Sequence, residues 1–156
     1  MRIIGIDPGT AATGYGIIDW NGKIAKKVDF GSIKTKNNRS ASERLVEIEK
    51  SLNRILKESK PELAVIEDIF FFKNAKSVVS VAQARGVLMC ALAKNKIKVI
   101  SYTPLQIKMT LTGYGRSEKI DIQKAVRKEL KIKAIPRPNH AADALAAAIT
   151  YTKKCP

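Results

Sequence analysis

The first 34 residues contain three short apolar runs that are separated by two strong turn signals, Pro8-Gly9 and Asn21-Gly22. Proline and glycine together force a turn, and Asn-Gly is typical of a two-residue β-hairpin. The pattern therefore predicts an antiparallel sheet at the start of the chain, with strands over residues 2–7, 14–20 and about 24–34. So small a sheet must cover its apolar face with other elements, which the rest of the chain has to supply.

The remaining residues alternate between helical and strand-like patterns. Helices are predicted over residues 41–58, where Ser40 and Glu43 fit a capping box, then over 75–94, from Pro104, over 118–130 with Ser117 as its cap, and over about 140–153. Strands are predicted over 63–67 and 97–102. The order predicts an α/β fold with one mixed five-stranded sheet, three antiparallel strands followed by two parallel ones, and helices on both faces.

The charge of the chain indicates a polyanionic partner. The 156 residues fit one domain, and they include 29 Lys and Arg against 14 Asp and Glu, for a net charge of +15. A fold does not need this excess, and such a surface repels itself. Nucleic acid is the usual partner of a surface like this. An anionic membrane would also suit the charge, but no basic amphipathic helix stands out.

Features that would direct the chain to a membrane or an oxidising compartment are not expected. No apolar run reaches the ~20 residues of a membrane-spanning helix. The apolar run at the N-terminus is too short for a signal peptide and breaks at Asp7-Pro8. Cys90 and Cys155 are far apart and lack metal-ligand spacing. We therefore predict a reduced, cytoplasmic setting without a membrane partner.

The few acidic residues fall where a site can form. Asp7 ends the first predicted strand and Glu67 ends the fourth, and sites of α/β sheets lie at such strand ends. Because neighbouring strand residues face opposite ways, only one of Glu67 and Asp68 can face Asp7. His140 and Asp143 are three residues apart, so they share one face at the start of the last helix. Taken singly, each of these residues has an ordinary surface or helix-terminal explanation.

Taken together, the acids predict a metal site. Three converging carboxylates repel one another and raise their own pKa values, and divalent cations relieve that cost. Oxygen ligands suit Mg²⁺ or Mn²⁺, and two such ions about 3.5–4 Å apart can activate water for phosphodiester hydrolysis. Acidic metal ligands within a basic surface therefore indicate a metal-dependent nuclease.

Four segments carry a family resemblance: GIDPGTAATGYGII (5–18), VIEDIFFFKNAKSVVSVAQARGV (65–87), TPLQIKMTLTGYGRSEK (103–119) and HAADALAAAI (140–149). In their order and spacing they resemble the RuvC Holliday-junction resolvases of bacteria. The resemblance implies that residues 1–156 form a single RNase H-like nuclease domain. It also implies a homodimer that nicks four-way DNA junctions symmetrically, in homologous recombination and DNA repair, together with the branch-migration proteins RuvA and RuvB.

The resemblance also implies a metal-ligand set. The acidic site of the family matches Asp7, Glu67 and Asp143, with two Mg²⁺ ions per subunit and Mn²⁺ as an effective substitute. The fourth ligand is often an aspartate in a D-A-A-D pattern, and His140 stands at that position here. The histidine is then either a metal ligand or a general acid or base, and the sequence leaves both roles open.

Three further residues are implied to contact DNA. Phe70 matches an aromatic residue that is thought to wedge into the junction. Lys108 and Lys119 match lysines that are implicated in DNA contact and catalysis.

Three other functions fit part of the pattern. GIDPGTAATGYG (5–16) also resembles the phosphate loop of actin-like and sugar-kinase proteins, but those enzymes need two such domains. The acids and the charge equally suit another RNase H-like nuclease, such as a YqgF-type ribosomal-RNA processing enzyme. A non-catalytic DNA-binding module would be expected to have a damaged acidic site, whereas the three acids are intact.

Overall fold

A computed structural model of the protein describes residues 1–69 and 75–155, without the side chains of residues 75 and 76. The strands are β1 (Arg2–Asp7), β2 (Ala12–Trp20), β3 (Ala25–Lys34), β4 (Leu63–Glu67) and β5 (Lys98–Tyr102). The helices are α1 (Ala41–Ser59), α2 (Ala75–Lys94), α3 (Pro104–Thr112), α4 (Lys119–Glu129) and α5 (Asn139–Lys154).

The five strands form one mixed sheet in the order β3-β2-β1-β4-β5. The first three strands pair antiparallel, whereas β4 pairs parallel with both β1 and β5. Strand β1 is central, and its Ile3, Ile4 and Ile6 have no exposed surface. A strand that is apolar on both faces requires cover on both faces. The predicted mixed sheet is therefore confirmed.

Two hydrophobic cores lie on opposite faces of the sheet. Helices α1 and α2 cover one face with Ile48, Leu52, Leu56, Ala84, Leu88, Ala91 and Leu92. Helices α3, α4 and α5 cover the other face with Ile107, Ile122, Val126, Leu130, Leu145, Ala146, Ala147, Ala148 and Ile149. The prediction of helices on both faces is confirmed, and the two layers meet at the carboxyl ends of the parallel strands.

Helix α5 lies directly on the sheet because glycines face it. Gly5 of β1 and Gly16 of β2 are register partners, and a Cβ atom on Gly5 would overlap the carbonyl oxygen of Ala144. Gly14, the partner of Asp7, similarly lies against the backbone of His140. This approach leaves no room for side chains between strand and helix, and it sets the start of α5 beside the end of β1.

Two local details differ from the prediction. The β2–β3 hairpin forms where Asn21-Gly22 predicted it, but its connection extends over residues 21–24, and the Asn21 side chain accepts hydrogen bonds from the backbone N–H groups of Lys23 and Ile24. Ser117 does not cap α4. Its hydroxyl instead bonds to Thr112 and to the carbonyl of Tyr114, while Glu118 takes the cap position.

From the sequence, no segment was predicted to be long and apolar enough to cross a membrane, but helix α2 contains such a segment. Residues 77–94 meet that description by length and composition. In the fold, however, one face of α2 packs into the core described above, and Arg85 in its middle forms an ion pair with Asp68 at 3.0 Å. The other face carries the exposed apolar residues Val79 and Met89.

The close approach of α5 to β1 predicts a large effect of one methyl group. We expect Gly5→Ala to lower the free energy of unfolding by about 1–3 kcal/mol, because the new Cβ meets the backbone of α5, which cannot rotate away. Gly31→Ala is the matched control, since its Cβ would meet only the side chain of Tyr15. Urea unfolding of both variants measures the difference. Equal stability of the two variants would contradict the backbone contact.

Candidate active site

Asp7 and Glu67 lie side by side because they end two adjacent parallel strands. Ile6 and Ile66 are register partners, and one acid follows each of them. The start of α5 brings His140 and Asp143 to the same edge of the sheet. One ligand atom from each of Asp7, His140 and Asp143 lies within 4.8 Å of the others. Glu67 does not belong to this close group of three, but it lies near enough for the charges of Asp7 and Asp143 to raise its pKa.

His140 is held by a direct hydrogen bond to Asp7. The distance between His140 Nδ1 and Asp7 Oδ2 is 2.7 Å. This bond raises the pKa of His140 above its ordinary value, against the opposing effect of partial burial, and the charge of Asp7 adds to the increase. About half of the His140 side chain is exposed, at 48%. The ring can therefore contact solvent or a ligand while it remains bonded to Asp7.

Glu67 is the most perturbed acid of the group. Burial raises its pKa to about 8, and the nearby charges of Asp7 and Asp143 contribute to the increase. Lys119 and Lys108 oppose it with a smaller effect. A carboxyl group that is buried beside two other carboxylates favours its protonated form unless a cation approaches.

Asp68 borders one cavity together with Asp7 and Glu67, but its carboxylate is engaged by a residue of α2. Its carboxylate forms an ion pair with Arg85 of α2 at 3.0 Å, and the same guanidinium donates a hydrogen bond to Ser101. Of the two acids between which the sequence could not choose, Glu67 is thus the one that faces Asp7. The Asp68–Arg85 pair was not anticipated, because no sequence pattern relates residues that meet through separate elements.

Lys119 contacts the acidic group directly. Its Nζ lies 2.7 Å from Asp143 Oδ2. Burial raises the pKa of Asp143, and this ion pair partly offsets the effect. Lys108 lies close enough to lower the pKa of Glu67. The two lysines selected from the sequence therefore border the acids, whereas Phe70 lies outside the residues that the structure describes.

Two cavities meet at Glu67. One cavity, of about 230 Å³, is lined by Glu67, Pro104, Ile107, Lys108, Lys119, Ile122, Asp143 and Ala146. The other, of about 220 Å³, is lined by Asp7, Pro8, Glu67, Asp68, Ile69, Ser77, Val78, Val81 and Pro104. The apolar residues that line these cavities were not predicted as site residues, because in the sequence they cannot be distinguished from ordinary core residues. The acids thus stand at the base of an open site with lysines on one side.

Comparison with known proteins places the chain in a family. The family described as crossover junction endodeoxyribonuclease RuvC matches residues 3–151. The protein of that name from Fusobacterium nucleatum is 52% identical over 97% of this chain and 80% of its own length. The chain belongs to the RuvC family. The RuvC of Parasynechococcus marenigrum is 46% identical over 96% of this chain and 97% of its own length.

A solved RuvC structure has the same fold. RuvC of Thermus thermophilus, in complex with Holliday junction substrate, superposes with a TM-score of 0.91. It is 33% identical, and the match covers 97% of this chain and 92% of that one. The predicted RNase H-like α/β architecture and the family resemblance are both confirmed for this RuvC chain.

The donor set of the site fits a divalent metal ion. Asp7, Glu67 and Asp143 supply hard carboxylate oxygens, and His140 supplies an imidazole nitrogen. Burial is the main cause of the raised pKa values of Glu67 and Asp143, and the neighbouring carboxylates add to it, so the ionised forms of both groups are disfavoured in the metal-free site. A cation would stabilise them, so the acidic cluster of this RuvC protein suits divalent metal binding.

The raised pKa of Glu67 predicts how stability depends on pH without metal. The unfolded carboxyl ionises near its ordinary pKa of ~4.3, whereas the folded one retains its proton up to about pH 8. Between these values unfolding releases a proton, so the free energy of unfolding falls as pH rises, by on the order of 3 kcal/mol for this group. Asp143 and His140 act in the same direction, since their folded pKa values are also raised.

Urea unfolding in a metal chelator, from about pH 5 to pH 8, measures this dependence. Glu67→Gln should remove most of the decline, because the amide does not titrate. The exposed Glu58 of α1 provides the control, and Glu58→Gln should leave the decline intact. An unchanged decline in Glu67→Gln would show that this carboxyl does not control the pH dependence. Mg²⁺ added at pH 8 should restore stability by binding the folded state.

Proposed function

We propose that the protein is a structure-specific endonuclease that resolves four-way (Holliday) DNA junctions by paired symmetric nicks, in homologous recombination and DNA repair. The observation that carries the proposal is the group of three carboxylates and one imidazole at the edge of the sheet, in a chain of the RuvC family. The net charge of +15 supports a nucleic-acid substrate. The Thermus relative, which binds Holliday junction substrate, supports the junction as that substrate.

We assign metal binding to Asp7, Glu67, His140 and Asp143, with two Mg²⁺ ions per subunit and Mn²⁺ as an effective substitute. Bound ions would supply an activated water and stabilise the leaving oxygen of the phosphodiester. Glu67 has to lose its proton to serve as a ligand, and its burial beside Asp7 and Asp143 opposes that loss unless a cation is bound. The hydrogen bond from His140 fixes the orientation of Asp7.

Lys108 and Lys119 are assigned to the DNA strand that is cut. Both line the cavity that contains Glu67 and Asp143. When cations bind the carboxylate of Asp143, Lys119 can exchange its ion pair with Asp143 for an ion pair with a phosphate oxygen. Phe70 is assigned as the residue that stacks on an opened base at the junction centre, since the preceding residue, Ile69, lines the cavity with Asp7.

A homodimer would present two such sites to the junction. Helix α2 is the proposed interface, because Val79 and Met89 are 59% and 37% exposed on an apolar helix. A two-fold dimer places identical sites on two strands of like polarity. Sedimentation at micromolar concentration should then give about twice 17.2 kDa. A strict monomer, even with junction present, would contradict the dimer.

The remaining assignments follow from this function. Residues 1–156 are proposed to be one nuclease domain, which the family match over residues 3–151 supports. RuvA and RuvB are proposed partners through the family relationship. Cys90 and Cys155 are free thiols, which suits a reducing, cytoplasmic location.

Replacement of one carboxylate should separate cleavage from binding. We expect Glu67→Gln to reduce the cleavage rate by several orders of magnitude, because it removes a ligand charge and keeps the shape. Junction affinity should stay close to that of the parent, since binding depends on phosphate contacts from Lys and Arg. Single-turnover cleavage and a gel-shift titration measure the two effects.

The parent protein should first be tested on a four-way junction, on duplex DNA and on structured RNA. Preferred cleavage of structured RNA would favour the alternative RNase H-like function. Asp68→Asn is the control variant, because Asp68 faces Arg85 and not the metal group. Normal turnover by Glu67→Gln would overturn the metal-site assignment.

His140→Asp should distinguish the two roles of the histidine. As a ligand, imidazole favours transition metals over Mg²⁺ and must be deprotonated, so Mn²⁺ should support cleavage better relative to Mg²⁺ than in an all-carboxylate site, and activity should fall at acidic pH. The bond to Asp7 raises the pKa of His140 in the metal-free protein, whereas a bound cation favours the deprotonated ring, so the acid-side loss should move to lower pH as the metal concentration rises. His140→Asp should then retain activity, shift toward Mg²⁺ and decline less in acid.

A general acid or base at position 140 gives a different result. In that case His140→Asp should lose most of its activity with either metal at neutral pH. Cleavage rates with Mg²⁺ and with Mn²⁺ across about pH 6–9 separate the outcomes. If His140→Ala cleaves normally throughout, the histidine has neither role.

A further inference from the structure

Helix α4 and the turn that follows it carry four exposed basic residues. Lys124, Arg127, Lys128 and Lys131 are spaced at i, i+3, i+4 and i+7, and all four are exposed. The opposite face of the helix is buried through Ile122, Val126 and Leu130. Residues with this spacing are neighbours along one side of a helix. We call this group of four residues the α4 basic stripe.

The positive charges of the stripe are not compensated within the protein. Over residues 1–69 and 75–155, no carboxylate lies within ion-pair distance of any of the four. The acids of α4 are engaged elsewhere: Asp121 accepts a hydrogen bond from the backbone of Glu118, and Glu129 pairs with Lys153 at 2.9 Å. The four residues and Ile132 line one cavity of about 400 Å³.

Favourable placement in the helix accounts for only part of the stripe. Arg127 and Lys128 lie in the last turn of α4, where cations interact favourably with the helix dipole. Lys124 lies outside that turn and gains little from the dipole. Lys131 follows the helix in a left-handed conformation with φ of 51°, which holds it beside the other three. Four neighbouring cations without a counter-charge favour a polyanionic partner.

The location of α4 relates the stripe to the proposed DNA substrate. The helix begins at Lys119, which contacts Asp143, and its Ile122 lines the same cavity as Glu67. At a rise of 1.5 Å per residue, Lys124 and Lys128 lie ~7 Å and ~13 Å along the helix axis from Lys119. The stripe lies on the face of the helix opposite Ile122, so it does not line the cavity that contains Glu67.

We propose that the α4 basic stripe is a second DNA-contact surface, which binds backbone phosphates of a junction arm outside the strand segment held at the acidic site. The proposal rests on the proposed junction-cleaving function and adds a surface that the chemistry does not require. Duplex DNA supplies a regular series of phosphates along each strand, which matches a linear row of cations. The stripe therefore contributes to affinity and orientation, whereas the acidic site determines the rate of the chemical step.

A triple variant tests the proposal. Lys124→Gln, Arg127→Gln and Lys128→Gln together remove three positive charges from the stripe. The matched control combines Lys50→Gln, Arg54→Gln and Lys57→Gln, which removes three exposed charges with helical spacing from α1, on the opposite face of the sheet. Junction affinity is measured as a function of salt concentration, without divalent metal, on a four-way junction with long arms.

The α4 variant should flatten the log–log salt dependence by about 1–3, since each phosphate contact contributes about 0.9 to the slope. Its affinity should fall about tenfold or more near physiological salt, while the single-turnover rate at saturating protein stays close to that of the parent. The control should keep the parent slope. Lys124→Arg, Arg127→Lys and Lys128→Arg together should restore the slope, which separates charge from any effect on folding.

Two results would overturn the proposal. A parent slope in the α4 variant would mean that the stripe does not contact DNA, and equal flattening in the α1 control would mean that only total charge matters. These outcomes differ from failure of the proposed function, which would appear as a parent protein that does not cleave four-way junctions.

Discussion

The contact between helix α5 and the centre of the sheet is the constraint on which the site depends. Gly5, Gly14 and Gly16 present no side chains to the helix, and the facing turns of α5 are mostly alanine, so backbone packs on backbone. The first turn of α5 is thereby fixed against the end of β1. His140 and Asp143 can reach Asp7 because this contact sets the separation of the two elements, and dense packing resists changes of even one methyl group.

Charge has two distinct uses in this fold. Exposed lysines and arginines give the surface its long-range attraction for a polyanion, and water screens each of them. The acids are concentrated where burial and proximity make their repulsion strong. Lys119 belongs to both arrangements, since it contacts Asp143 at one end of α4 while the α4 basic stripe faces solvent. Substrate attraction and metal binding are thus separated in space and connected through one helix.

The sequence predicted features that depend on local periodicity or on position at strand ends. The bounds of β4 and α2 were predicted at Leu63–Glu67 and Ala75–Lys94, because apolar periodicity and flanking breakers define them. The hairpin at Asn21-Gly22 was predicted, but its connection is longer than two residues, since the Asn21 side chain bonds to the backbone two and three residues ahead. No local sequence pattern distinguishes a two-residue turn at Asn21-Gly22 from the longer loop over residues 21–24.

The acids of the site were predictable for the same reason, since carboxyl ends of adjacent parallel strands meet at one edge. The contacts that adjust their chemistry were not. The bond between His140 and Asp7, and the ion pair between Lys119 and Asp143, join residues that are 133 and 24 positions apart. The distances in these contacts depend on how α4 and α5 pack. Sequence periodicity specifies which face of a helix is buried, but it does not specify where the ends of the helix lie in space relative to other elements.

Glu67 lines both cavities of the site, so its charge state affects what can bind in each of them. A cation on the Asp7 side favours the ionised carboxylate, and an ionised carboxylate in turn favours positive charge on the Lys108 and Lys119 side. Such coupling is reciprocal: if a cation in one cavity raises the affinity of the other cavity for its ligand by some factor, that ligand raises the affinity for the cation by the same factor. Glu67 can therefore give two otherwise separate cavities a shared, cooperative binding equilibrium.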